Sequence, residues 1–255
     1  MILLADIGNT HSVFGISDGK EVLASWRLTT GKYETEDELF AHLAPFFERN
    51  EVDFGHIESF VVASVVPYAN PSLERFAVKY LNTHILWVTA RTDLPIVWNV
   101  PTPSQIGADR VANVLGGWEK YGENIIVVDF GTAITIDVLH QSRFEGGAIL
   151  PGLMTALHAL FRKAAKLPQV ELEMPCKPVG KDTDENIRVG IVMGTRYAIE
   201  GIIAEIQKTY GTNFPVVATG GEAFLIFEHS EIFEEFDPDL TIKGILVYSK
   251  VLRIG

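Results

Sequence analysis

Cysteine is nearly absent. Cys176 is the only one in 255 residues, so no disulfide can staple this chain, and a reducing, cytoplasmic setting is expected. Basic residues are also scarce: 21 Lys and Arg against 33 Asp and Glu give a net charge of −12. That balance leaves no basic footprint for unspecific binding to nucleic acid or to an anionic membrane. No apolar run approaches the roughly 20 residues of a membrane-spanning helix. Met1–Ala5 is cut short by Asp6 and has no basic flank, unlike a signal peptide. The HExxH, GxSxG and GxGxxG signatures are missing, and the histidines show no metal-ligand spacing. What remains is a globular composition, 47% apolar and 21% charged, with a length between one domain and two.

The chain carries an approximate internal repeat. Ile2-Leu3-Leu4-Ala5-Asp6-Ile7-Gly8-Asn9-Thr10 opens it, and Ile125-Ile126-Val127-Val128-Asp129-Phe130-Gly131-Thr132 returns near the middle. Each copy is a buried-strand run, an Asp, one apolar residue, a Gly and a small polar turn, followed by a second strand rich in β-branched residues. Two equivalent halves follow, 1–115 and 116–255, each opening with a β-hairpin. Around the hairpins strands alternate with helices. A capping box at Thr35-Glu36-Asp37-Glu38 starts a helix to about Arg49. Phe60–Val66 reads as a strand ended by Pro67, Ser72–Leu81 as a helix and Ile85–Val88 as a strand. Ile106–Tyr121 reads as a helix. A long helix is expected from Asp182 to about Tyr210, with Ile187, Ile191, Tyr197, Ile202 and Ile206 near one stripe. Pro215–Ala218 is the last strand. Strands alternating with helices, twice over, indicate an α/β fold with mixed sheets.

Several sites could carry chemistry. A carboxylate at a strand end followed by Gly and a polar turn can present backbone N–H groups to phosphate while the Asp holds Mg²⁺. A single copy, Asp6-Ile7-Gly8-Asn9-Thr10, is equally an Asn-containing hairpin turn. The second copy at Asp129-Phe130-Gly131-Thr132 strengthens the ligand reading, because two such turns could clamp a nucleotide. Gly107-Ala108-Asp109-Arg110 places a carboxylate and a guanidinium near a helix N-terminus, which favours anions. There Asp109 could take a hydroxyl proton and Arg110 could grip a carboxylate or phosphate, or the pair could be a plain helix start. Glu145–Gly152 is too glycine-rich for a plain connection. Gly180-Lys181-Asp182-Thr183 resembles the tail of a P-loop but lacks its spacing, and Thr183 could cap a helix or meet a ligand. Thr219-Gly220-Gly221-Glu222 follows a strand, where α/β sheets receive nucleotides. Gly190, Gly194 and Gly201 could let another helix approach closely.

Taken in order, Asp6–Thr10, Gly107–Arg110, Asp129–Ala133, Gly146-Gly147 with Pro151-Gly152, Gly180–Thr183 and Thr219–Gly221 resemble the type III pantothenate kinase family over essentially the whole chain. The resemblance implies a duplicated actin-like α/β fold (ASKHA, ribonuclease H-like) with mixed five-stranded sheets and a central nucleotide cleft. It also implies a cytoplasmic homodimer that makes 4′-phosphopantothenate from pantothenate and ATP, the first step of coenzyme A synthesis. By that resemblance Asp6, Ile7, Gly8, Asn9, Thr10, His11, Ser12 and Val13 form the ATP-phosphate loop, with Asp6 close to Mg²⁺, and Thr132 is a second ATP contact. Gly107, Ala108, Asp109 and Arg110 form the pantothenate site with Asp109 as base. Thr183 is a further pantothenate contact, and Asp129 a ligand of a monovalent cation, K⁺ or NH₄⁺. Ile134 and Val100 depart from the family pattern, replacing a Thr and a Tyr. Two other readings keep the same residues: an actin-fold kinase or phosphohydrolase with another small substrate, and an ATP-sensing regulator without chemistry.

Overall fold

The two repeated runs form hairpins. In a computed structural model, which describes residues 1–163 and 170–252, β1 (Ile2–Ile7) pairs antiparallel with β2 (His11–Ser17), and β7 (Ile125–Phe130) with β8 (Ala133–His140). Both β1 and β7 are buried along their length except at the Asp, as apolar runs flanked on both sides should be. The chain divides into two compact units. Unit 1 comprises Met1–Glu123, Gln141–Glu145 and Asp239–Gly255, and unit 2 comprises Asn124–His140 and Gly146–Pro238.

In unit 1 the remaining strands are β3 (Val22–Thr29), β4 (Ser59–Ser64) and β5 (Ile85–Trp87), giving the sheet order β3-β2-β1-β4-β5. The parallel β1–β4–β5 pairs are joined through helices α1 (Glu36–Arg49) and α2 (Asn70–Leu81). The expected capping box is present: the Thr35 hydroxyl accepts the Glu38 N–H, and the Glu38 carboxylate accepts the Thr35 N–H. Phe14, Phe47, Phe60 and Phe76 fill the core against these helices. Helix α3 (Ala108–Tyr121) packs against α8 (Leu240–Val251) so closely that a side chain at Gly244 would run into the Ala112 carbonyl. Tyr248 of α8 is fully buried, and its hydroxyl donates to the Trp87 carbonyl at 3.1 Å and accepts from the Thr89 N–H at 3.3 Å. A buried phenol needs such partners.

Unit 2 contains β7, β8, most of β9 (Arg143–Pro151), β10 (Val216–Thr219) and β11 (Glu235–Phe236). Its sheet runs β11-β10-β7-β8-β9 and gains a sixth member, β6 (Val97–Trp98), which pairs with the Arg143–Phe144 stretch of β9 that belongs to unit 1. The second sheet therefore has six strands, against the five expected, because a two-residue strand after a Pro-containing loop carries no periodic signal. The helices are α4 (Leu153–Lys163), α5 (Thr183–Arg188), α6 (Gly194–Tyr210) and α7 (Phe224–Phe227), with a π-helical turn over Val189–Met193 joining α5 to α6. One expected stripe residue is misplaced. Tyr197 lies two residues before the buried Ile199, about 200° round α6 at ~100° per residue. It is 52% exposed, and the buried face continues through Ile199 and Ile203 instead.

Candidate active site

The first turn is built on β1. Asp6 sits next to last in the strand, opposite Val13 on β2 and Ala63 on β4. The Gly8 N–H donates to the His11 carbonyl at 3.0 Å, and Thr30 braces the loop from outside. The Thr30 hydroxyl donates to the Gly8 carbonyl at 2.7 Å, and the Thr30 N–H donates to the Thr10 carbonyl at 3.0 Å. Of the expected loop residues, Asn9, Thr10 and His11 are exposed. Ile7 and Ser12 turn their side chains into the core, where the Ser12 hydroxyl bonds Thr30 and Tyr33, each at 2.8 Å. Their contribution is to frame the turn. Partial burial and the nearby Arg27 lower the His11 pKa, which disfavours the charged form of its ring.

The second turn repeats the first with one residue fewer. Asp129 again sits next to last, opposite Thr135 on β8 and Thr219 on β10. The Gly131 N–H donates to the Ala133 carbonyl at 3.1 Å. The Thr132 carbonyl accepts from the Gly152 N–H at 3.1 Å and the Thr155 hydroxyl at 2.7 Å, while the Thr132 side chain is exposed. Gly220 adopts φ +92°, and a Cβ there would fall 2.5 Å from both Asp129 Oδ1 and the Phe130 carbonyl. Only glycine fits this close approach. The Phe130 N–H is as close, 2.6 Å from the same point, so the backbone of Gly220 is packed tightly against the Asp129 turn. Ile134, one of the departures from the family pattern, is fully buried. Among the described residues no group of three or more His, Cys, Asp or Glu could hold a metal by itself.

Glu222 ends the Thr219-Gly220-Gly221-Glu222 turn, and its own contacts are set by the fold. Its N–H donates to the Phe130 carbonyl at 3.3 Å, and its carboxylate accepts the Met154 N–H at 3.4 Å at the start of α4. It therefore ties the turn after β10 to the segment that braces Thr132. Burial raises its pKa above the usual carboxylate range, against the lowering effect of the α4 N–H groups and His158.

Asp109 and Arg110 begin α3. Asp109 Oδ1 accepts the Arg110 N–H at 2.7 Å and folds back over Gly107, where a Cβ would collide with it. Burial raises the Asp109 pKa above the usual aspartate value, more than the neighbouring Arg110 lowers it. The Arg110 guanidinium lies over the Phe144 ring, 5.5 Å from its centroid. Val65 joins this segment to the first turn: its N–H donates to the Ile7 carbonyl at 3.1 Å, and its Cγ1 lies beside Gly107. Unit 1 thereby brings the Asp6 turn and Gly107–Arg110 together at the carboxyl ends of β1 and β4, where open α/β sheets receive ligands. Val65 was legible only as the end of a strand before Pro67.

Thr183 heads α5 and is exposed. The Asp182 carboxylate, rather than Thr183, caps that helix by accepting the Glu185 N–H at 2.9 Å. Thr183 lines an open, mostly apolar groove of about 760 Å³ within unit 2, with Leu150, Pro151, Leu160, Ile187 and Ile191. Gly190 and Gly194 also border it, and nothing lies within 4 Å of the position a Cβ would take at Gly190.

The sequence model of one family, described as type III pantothenate kinase, matches residues 2–205. Type III pantothenate kinases of Kosmotoga olearia and Petrotoga mobilis are 47% and 42% identical to the chain, over 99% of it in both cases and over 97% and 99% of their own lengths. The chain belongs to the type III pantothenate kinase family. As a member it is a phosphotransferase and an ATP-binding kinase. Among solved structures it resembles component A of (R)-2-hydroxyglutaryl-CoA dehydratase from Acidaminococcus fermentans, with a TM-score of 0.57, 14% identity and coverage of 98% of both chains. It also resembles the ROK hexokinase of Thermus thermophilus, with a TM-score of 0.52 and 18% identity over 98% of this chain and 99% of that one. At such identities these likenesses show the fold alone, which is the actin-like α/β fold. No helix among the described residues is long and apolar enough to cross a membrane.

Proposed function

We propose that the enzyme transfers the γ-phosphoryl group of ATP to the primary hydroxyl of pantothenate, giving 4′-phosphopantothenate and ADP, as the first step of coenzyme A synthesis in the cytoplasm. The observation that carries this reading is Asp109: a carboxylate at the start of α3, its pKa raised by burial, with Arg110 beside it. Asp109 Oδ1 is turned to the Arg110 N–H, so Oδ2 receives the hydroxyl proton as the oxygen attacks the γ-phosphorus and the bond to the ADP oxygen breaks. Arg110 grips the pantothenate carboxylate, in the bidentate manner that suits a guanidinium. Asn9, Thr10, His11 and Thr132 meet the phosphates of ATP through their exposed side chains, in a loop framed by Asp6, Ile7, Gly8, Ser12 and Val13. Asp6 would hold Mg²⁺, and Asp129 would hold K⁺ or NH₄⁺. Bound there, these cations neutralise phosphate charge, the main requirement of phosphoryl transfer.

The homodimer is part of the same reading. Thr183 and the apolar groove beside it suit a partner copy that covers the groove and completes the pantothenate pocket. ADP release from ATP, measured with and without pantothenate, tests the reaction. Release that depends on pantothenate is expected. Equal release without it means a phosphohydrolase, and none in either case means a nucleotide sensor.

A further inference from the structure

We propose that Phe144 and Trp98 form an aromatic platform that positions Arg110 for the carboxylate of the substrate, so that they act as positioning residues for substrate selection. The inference rests on the reading of Arg110 as the carboxylate grip, and it adds two residues from outside every motif considered above. The Arg110 guanidinium carbon stands 5.5 Å from the centroid of Phe144, a ring that is only 1% exposed and so has a fixed plane. Trp98 lies against the same ring, with centroids 5.6 Å apart and planes tilted by 57°. Backbone pairing sets that contact: Trp98 and Phe144 are partners in the parallel β6–β9 ladder, and the Asn99 N–H donates to the Phe144 carbonyl at 3.0 Å. The Trp98 indole N–H donates to the Arg91 carbonyl at 2.8 Å, and the Asn99 amide donates to Glu145 Oε2 at 2.6 Å. Both rings are thus held from the backbone outward.

An arginine side chain has four rotatable bonds, and holding its fork in one plane costs conformational entropy. An aromatic face beneath it lowers that cost and adds a cation–π attraction through the face of the guanidinium rather than its N–H edge. The platform therefore acts on substrates that carry a carboxylate and is indifferent to those that do not.

The test compares pantothenate with pantothenyl alcohol, in which a hydroxymethyl group replaces the carboxylate, as acceptors for the purified full-length enzyme. Phe144→Leu is expected to raise KM for pantothenate about three- to tenfold. KM for ATP and kcat/KM for the alcohol should stay within about twofold of the parent. Trp98→Leu removes the outer ring at a less buried position and is expected to move the pantothenate KM in the same direction by a smaller factor. It decides the question should Phe144→Leu fail to fold. An unchanged pantothenate KM in the variants, or an equal loss with pantothenate, the alcohol and ATP, overturns the platform. Arg110→Lys is assayed in parallel. If it leaves the pantothenate KM unchanged, the carboxylate-grip reading falls and the platform with it. If it raises that KM while Phe144→Leu and Trp98→Leu do not, the grip stands and the platform alone is refuted.

Discussion

Asp109→Asn separates chemistry from architecture more sharply than any other substitution in this chain. The amide keeps an oxygen where Asp109 Oδ1 accepts the Arg110 N–H at 2.7 Å, so the start of α3 and its fit over Gly107 are retained. On the base reading, what is lost is the proton acceptor. A positioned general base contributes roughly 10²–10⁴-fold. At about 1.36 kcal/mol per decade, kcat should fall with a barrier increase of about 2.7–5.4 kcal/mol, while KM for pantothenate moves little. Stability should change in the opposite sense. Burial holds the folded-state pKa of Asp109 above its unfolded value, so the native state takes up the proton more readily. Wild-type stability from this group therefore grows as pH falls through the folded pKa, and above it the ionised carboxylate is a burden that Asn removes. The variant should melt higher than wild type at pH 7–8, and the gap should close as pH falls. Steady-state kinetics and thermal melts across pH 5–8 check both halves. A variant that keeps kcat within tenfold of wild type refutes the base assignment. A melting gap that widens toward low pH refutes the burial argument.

Further outcomes follow from the turns and the groove. Gly220→Ala forces a side chain onto Asp129 Oδ1 and the Phe130 carbonyl at φ +92°, and should cost about 1–3 kcal/mol in thermal or denaturant unfolding. Asp129→Ala should remove the activation by K⁺ over Na⁺ that the cation reading requires; equal wild-type rates in the two salts would end that reading. Glu222→Gln keeps an acceptor for the Met154 N–H but cannot ionise. Because burial raises the Glu222 pKa, wild type should gain stability relative to this variant as pH falls through that pKa, read as a converging pair of melting curves from pH 8 to 5. Leu160→Glu charges a groove residue that is 40% exposed, and should abolish the dimer mass that the homodimer reading requires of wild type in light scattering; a monomeric wild type would end that reading.

The repeat made much of the fold legible. An apolar run, an Asp, a Gly and a β-branched run, found twice, read directly as two hairpins, because a buried central strand can only be apolar and a tight turn needs small polar residues. The capping box at Thr35 was equally plain, being a purely local exchange of hydrogen bonds. Tyr197 lies off the buried stripe because its helical phase differs, and β6 carries no sequence signal because two residues have no period. The Gly107–Arg110 motif and the turn ending at Glu222 were visible, but Val65, Phe144 and Trp98 were not. Each looks like an ordinary strand or turn residue until pairing brings it beside a motif.

By itself the amino-acid sequence determined the hairpins, the capping box and the family, since all of these rest on short patterns taken in order. Tertiary structure decided what lies next to them. It returned α8 from the far end of the chain to pack on α3 in unit 1, laid Phe144 beneath Arg110, and set Gly220 against Asp129. It also determined which carboxylates are raised by burial, Asp109 and Glu222, because desolvation depends on what surrounds a group in space.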